Sequence, residues 1–200
     1  MQKMSEKIVQ LEGEIKGLHY NPVMERHSFS NSRTEEFYKQ FWEIHVKQVI
    51  EFSRQMAVKY GADLEVVWLA AILHDIARLD DYEPHDVIGS ETAYMLLIEK
   101  GFKYSLAEKA KVAILRHRCK EYVPETLEQK IIATADAMAH FIPPFYFWIA
   151  KYSNKSFEEV LEKNKGKIER DYNDKIFFED ERVLVSGQYE MLKSWFGYKI

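Results

Sequence analysis

From Leu64 the chain reads "LEVVWLAAILHDIARLDD", and this stretch constrains the fold more than any other. Asp63 can cap a helix here, and the spacing predicts one from Leu64 to about Leu79. Its apolar residues leave almost no polar face, so such a helix must be covered on all sides by other helices or by a sheet. Yet the run ends in His74 and Asp75. A buried imidazole or carboxylate without partners is costly, so the fold has to bring partners to both.

Elsewhere the chain also patterns as helix. Thr34, with Glu35 and Glu36 after it, opens a helix that runs to about Tyr60 and stops at Gly61. A loop, "DDYEP", precedes a helix over about 86–100 that ends at Gly101. Ser105 caps a helix to about Cys119, and Thr126 caps one over 127 to about 140. Pro143-Pro144 breaks the chain before a short aromatic helix. Ser156 and Glu159 form a capping box opening a helix to about Tyr172, and a last helix runs from about Glu179 to Phe196. Towards the N-terminus a short helix near 5–16 is followed by a loop through Asn21-Pro22 and "SFSNSR". No strand-like alternation of useful length interrupts this pattern. The expectation is an all-α bundle with a helical C-terminal extension. Residues 34–140 form its core, 1–33 pack on it, and 141–200 extend the same domain.

Composition sets limits on function. The 200 residues are 46% hydrophobic and 14% aromatic, enough for a sizeable core, and the net charge of −4 argues against bulk nucleic-acid binding. A small anionic substrate held by a few local cations remains compatible. The single cysteine, Cys119, rules out an internal disulfide framework and favours a cytoplasmic setting. The N-terminus is too charged for a signal peptide, and no apolar run is long enough for a membrane span.

The partners of His74 and Asp75 emerge from the faces of the other helices. Phe41, Trp42, His45, Val49 and Phe52 share one stripe. Val67, Ala70, Ala71 and His74 share another; Leu106, Ala110, Ala113, Ile114 and His117 a third; Ile132, Ala133, Asp136, Ala139 and His140 a fourth. The chain has seven histidines (19, 27, 45, 74, 85, 117 and 140), and several helices each turn one inward. One alone would read as a hydrogen-bonded core residue. Together, imidazole and carboxylate groups suit a divalent transition metal, which would partner His45, His74, Asp75 and Asp136 at once.

"FWEIHV", "LAAILHDIAR" and "IIATADAMAH" together resemble the HD-domain superfamily of metal-dependent phosphohydrolases: a histidine, an adjacent His-Asp pair ending a buried helix, and a later aspartate. The resemblance covers roughly residues 40–140. It implies an all-helical fold and makes His45, His74, Asp75 and Asp136 metal ligands. His85 and His117 fall where two-metal members hold a second ion, with the aspartate of the pair bridging. One or two ions of Mn, Fe, Co, Ni or Zn are implied, serving to acidify a bound water and polarise a phosphoryl oxygen.

Departures matter as well. Unlike the HD-GYP branch, the chain has Arg118 after His117 and no GYP tripeptide. The third and fourth positions after His-Asp are Arg78 and Leu79, where the guanosine-tetraphosphate hydrolases carry acids; the small five-prime nucleotidases carry an acid at the third.

Arg78 is therefore expected to touch a phosphate and, with Asp75, to serve catalysis. Arg116, Arg118, Lys111 and Lys120 are further candidate clamps, although "RHRCK" reads equally well as a solvated helix end. Glu83, Asp80 and Asp81 are loop acids placed to relay protons, or simply to face solvent.

The expected partner is a small phosphate-containing molecule of nucleotide type, and neither bulk nucleic acid nor a membrane. The same six-ligand set would serve a mixed-valence di-iron oxygenase of the superfamily, and a non-catalytic metal- or nucleotide-binding module is a third reading. The aromatics of the extension cover the bundle or stack a base. A homodimer through the extension is conceivable, with no specific residue pointing to it.

Overall fold

The computed structural model describes residues 2–22, 34–80 and 82–197. His27, Asp81 and the "SFSNSR" stretch lie outside them. Among the described residues the regular structure is helical throughout, with no strand.

α1 spans Gln2–Tyr20, longer than the expected 5–16. Two glycines inside it, Gly13 and Gly17, weaken the helical signal by roughly 1 kcal/mol each. Burial of Ile8, Leu11, Ile15 and His19 along one face outweighs them. α2 (Glu35–Phe41) and α3 (Lys47–Tyr60) form one long rod, joined by a single π-helical stretch at Trp42–Val46. Thr34 accepts the amide of Phe37 at one end, and Gly61 adopts a left-handed φ of 73° at the other.

α4 (Leu64–Leu73) is capped by Asp63, and all of its residues from Val66 to Leu73 are buried. It ends sooner than Leu79. His74 is the last helical position, and the chain tightens into a 3-10 turn, Ile76–Asp80, with Arg78 N–H on the Asp75 carbonyl. Side chains adjacent in an α-helix diverge by about 100°. Ending the helix at this point lets His74 and Asp75 serve one site.

α5 (His85–Glu99) starts at His85 itself. α6 (Tyr104–Arg116) is capped by Lys103 rather than Ser105, because both Leu106 and Ala107 donate to the Lys103 carbonyl. It stops at Arg116, short of Cys119, whose φ is +53°. α7 (Leu127–His140) opens on a complete Thr126/Gln129 capping box.

In the extension, α8 (Phe145–Lys151) follows the two prolines. α9 (Phe157–Arg170) opens on the Ser156/Glu159 box. A second π-helical stretch, Asp171–Lys175, then replaces the expected helical end at Tyr172, and α10 (Glu179–Phe196) closes the chain.

α3, α4, α6 and α7 pack on one another around the buried α4, and α5 lies on α6 and the 3-10 turn. α1 covers α2 and α4, while the second π stretch is laid against α7. One apolar core runs through all of it, from Ile8 to Leu192.

Candidate metal centre

The packing of α4 against its neighbours brings six buried polar side chains to one point. His45 arrives from the first π stretch, His74 and Asp75 from the end of α4, His85 from the start of α5, His117 from the end of α6 and Asp136 from the middle of α7. Nε2 of His45 lies 3.2 Å from Nε2 of His74, 3.5 Å from Asp75 Oδ2 and 3.3 Å from Asp136 Oδ1. The other oxygen of Asp75 turns away from this group. Its Oδ1 is 3.2 Å from His85 Nε2 and 3.9 Å from His117 Nε2.

The tautomers follow from the far side of the rings. Nδ1 of His74 lies 2.8 Å from the Ala71 carbonyl and Nδ1 of His117 lies 2.6 Å from the Ile114 carbonyl. Each Nδ1 must therefore carry the proton, and each Nε2 turns a lone pair into the cluster. Asp75 Oδ1 has no hydrogen-bond donor among the described residues. Burial works against a charged His45, but hydrogen bonds to Asp136 and Asp75 raise its imidazole, so a proton on His45 partly serves this group. The remaining lone pairs and carboxylate oxygens repel unless a cation sits among them. Ligand atoms about 2.1 Å from such an ion stand about 3.0–3.4 Å apart in octahedral or tetrahedral order. The closest observed spacings fall in that range. Three overlapping groups have ligand atoms close enough to share a divalent ion: His45, His74 and Asp75; His45, Asp136 and His140; and Asp75, His85 and His117.

Electrostatics agree with that placement. Burial drives the His117 imidazole down to about 3, so it is neutral at pH 7. His74 is lowered by burial as well. Burial alone would raise Asp75 and Asp136, but the surrounding imidazoles, and Lys175 for Asp136, hold both carboxyls well below the usual range.

Lys175 and Asp171, which the sequence did not single out, stand beside the cluster with His140. Lys175, buried, places its ammonium on Asp136 Oδ2. His140, one turn after Asp136, has Nε2 3.5 Å from Asp136 Oδ1 and Nδ1 2.8 Å from Asp171 Oδ2. Asp171 is fully buried and is also held by Lys167 at 2.8 Å and Arg170 at 3.3 Å. The Asp136/His140 spacing was a visible signal. The residues of the second π stretch carried none, since their role depends on α9 and α10 folding back over α7.

Two openings reach the cluster. A cleft of about 620 Å³ is walled by Arg78, Arg118, Lys120, Lys163, Lys167 and Arg170. A narrower slot of about 260 Å³ joins it and is lined by Phe37, Phe41, Phe145, Trp148 and Tyr152. Trp148 stacks on Phe37 at 4.9 Å and on Phe41 at 5.6 Å.

Arg78 and Arg118 line the cleft, each paired with Glu83, at 2.7 and 3.3 Å. Glu83 also accepts the His85 amide at 3.1 Å, so this loop acid braces the site. Arg116 does not line the cleft. One residue before His117 on α6, it points elsewhere and is spent on the Val123 carbonyl at 2.6 Å and Glu125 at 2.7 Å. Lys111 likewise pairs with Glu91 at 2.8 Å.

These features define a helical bundle with a buried His/Asp centre at the base of an open cleft, and comparison with known proteins agrees. The HD-domain family profile matches residues 42–140. The chain belongs to the HD-domain superfamily. It is 34% identical over 109 residues to an uncharacterised protein of Methanocaldococcus jannaschii, covering 46% of this chain and 62% of that one. It is 32% identical over 98 residues to ribonuclease Y of Thermoanaerobacter pseudethanolicus (48% of this chain, 18% of that one). It is 33% identical over 103 residues to a tRNA (cytidine(56)-2'-O)-methyltransferase of Thermoplasma volcanium (46% and 30%). The chain thus spans less than two thirds of each of these relatives.

Among solved structures, an HD superfamily hydrolase predicted from an uncultured Thermotogales bacterium superimposes with a TM-score of 0.57 at 23% identity, over 91% of this chain and 87% of that one. Bacillus subtilis YpgQ, solved in complex with ADP, gives 0.60 at 16% identity over 92% and 93%. Both likenesses bear on the fold. Among the described residues, no helix is long and apolar enough to cross a membrane.

Proposed function

We propose that the protein is a metal-dependent phosphohydrolase acting on a small phosphate-containing molecule of nucleotide type. The observation that carries this reading is the convergence of His45, His74, Asp75 and Asp136 at the floor of a cleft whose walls are cationic. Divalent ions bound there would supply an acidified water and a Lewis acid for the phosphoryl oxygen.

The chain's own residues supply the rest. Asp75 turns one carboxylate oxygen to His45 and His74 and the other to His85 and His117, so it would serve as a ligand on either side. Arg78, 29% exposed at its side chain and braced by Glu83, offers a fixed fork to a phosphoryl oxygen at the mouth. Arg118, held by Asp86 at 2.8 Å, stands on the same wall. The aromatic slot supports a nucleotide-type ligand, since a base stacks there without demanding a particular hydrogen-bond pattern.

Hydrolysis of phosphodiester and nucleotide substrates, measured with Mn, Co, Ni and Mg in turn, tests the proposal. Turnover that depends on one of these ions and disappears in Asp75→Ala is expected. No turnover with any of them would overturn the reading. An iron spectrum differing between aerobic and anaerobic preparations would replace it with the di-iron oxygenase.

A further inference from the structure

The wall of the cleft formed by α9 carries charge that the reaction centre does not need. Lys167 and Arg170 are tied to Asp171. Lys163, one turn before Lys167, lines both the cleft and the slot and is exposed. Lys120, three residues beyond His117, lines the same cleft. Neither Lys120 nor Lys163 has a carboxylate partner among the described residues. Partial burial and then Arg118 and Arg170 lower Lys120 from its ordinary value, and all three cations line the same cleft, together with Glu83 and Glu162. The Nε of Arg170 is buried and has no acceptor among the described residues. Holding like charges together in an open cleft costs free energy unless an anion is taken there.

We infer that Lys120 and Lys163, the two lysines of this cleft without a carboxylate partner among the described residues, form with Arg170 a cationic wall that takes a second phosphoryl group of the substrate. This rests on the phosphohydrolase reading for the word substrate, but not for the existence of the wall. The cleft then reads in three parts: an aromatic slot, the His/Asp centre, and a cationic wall to which α9 contributes, with Lys163 where slot and cleft meet. A ligand with a flat apolar group and at least two linked phosphoryl groups spans all three. A phosphomonoester would leave the cationic wall empty.

Methylenediphosphonate, whose P–C–P link resists hydrolysis, and methylphosphonate carry two and one phosphoryl-type groups. Calorimetry on the protein as purified should find the diphosphonate bound more tightly by about tenfold, the order of one or two added charge-assisted contacts. In K120E/K163E that surplus should vanish while methylphosphonate binds as before. K120M/K163M, which removes charge without reversing it, should retain part of the surplus. Both lysines are exposed, and metal content, measured alongside, is expected to match the wild type, so chelation by the probe cancels in the comparison.

Equal affinities for the two probes in the wild type, or an unchanged surplus in K120E/K163E, would overturn this role for the wall. Tighter binding of a short single-stranded oligonucleotide than of the diphosphonate would overturn it in favour of a polymer backbone. Because no turnover is read, a protein that binds the diphosphonate as described but hydrolyses nothing would sink the phosphohydrolase reading and leave the cationic wall standing.

Discussion

Oδ1 of Asp75 lies 3.2 Å from Nε2 of His85, while the opposite oxygen of the same carboxylate belongs to the His45/His74 group. One aspartate therefore couples two ligand groups. His85→Ala should lower the metal content by one ion per chain and leave the other in place. Asp75→Ala should lose both. Elemental analysis of the purified variants decides this, and an unchanged content in His85→Ala would remove the second ion from the scheme.

Lys175 neutralises Asp136 from the side facing the extension. Removing one partner of a buried ion pair strands the other, at about 3–5 kcal/mol. A metal ion would supply a substitute cation. Lys175→Met is therefore expected to destabilise the metal-depleted protein by about 3 kcal/mol and the metal-loaded protein by clearly less. Denaturant melts of the two forms measure the difference. Equal losses would show that the ion does not relieve Asp136.

Acid should unfold this protein early. His19 and His140 are held down to about 4 and His117 to about 3, burial being the largest cause in each. In the unfolded chain each takes a proton near pH 6.5. Between those values the unfolded state binds more protons, so stability is full above about pH 6.5 and is lost as pH falls towards 3–4. Melting temperature across pH 8 to 4 tests the sign. His19, set against the Tyr38 carbonyl at 3.3 Å, is not itself among the proposed ligands, so the metal-depleted protein reads its effect without metal release. His19→Gln should flatten the profile in the metal-depleted protein.

Tyr152 forms an edge of the aromatic slot and is only half-buried, with its ring 5.0 Å from Phe37. If a base stacks there, Tyr152→Ala should weaken binding of a nucleoside monophosphate by about tenfold, within the usual worth of a base–aromatic contact. Affinity for inorganic phosphate should stay as it was. Equal effects on both ligands would assign the slot to packing alone.

Much of this was legible because burial and polarity conflict in one dimension. His74-Asp75 after a fully apolar helix demanded partners, and the stripes carrying His45, His117 and Asp136 supplied them. Capping residues Thr34, Asp63, Thr126 and Ser156 marked four helix starts correctly, since their signal is local. What stayed hidden depends on distant packing. Lys175 and Asp171 look like surface charges in "RDYNDK" until α9 folds over α7. Arg116 and Arg118 look alike in "RHRCK", yet α6 ends at Arg116 and only Arg118, in the turn beyond it, lines the cleft. His140 was readable as i+4 from Asp136, but an imidazole on an apolar stripe does not announce its carboxylate partner.

Both π-helical stretches carry site residues: His45 in Trp42–Val46, and Asp171 with Lys175 in Asp171–Lys175. A π stretch is an α-helix with one residue inserted. Deleting a single codon within 42–46 would restore an unbroken rod and swing His45 by about 100° relative to the residues before or after it. The bundle would survive such an edit far better than the metal centre. The gain or loss of metal in a chain of this kind can thus turn on a one-residue slip that leaves the hydrophobic pattern nearly untouched.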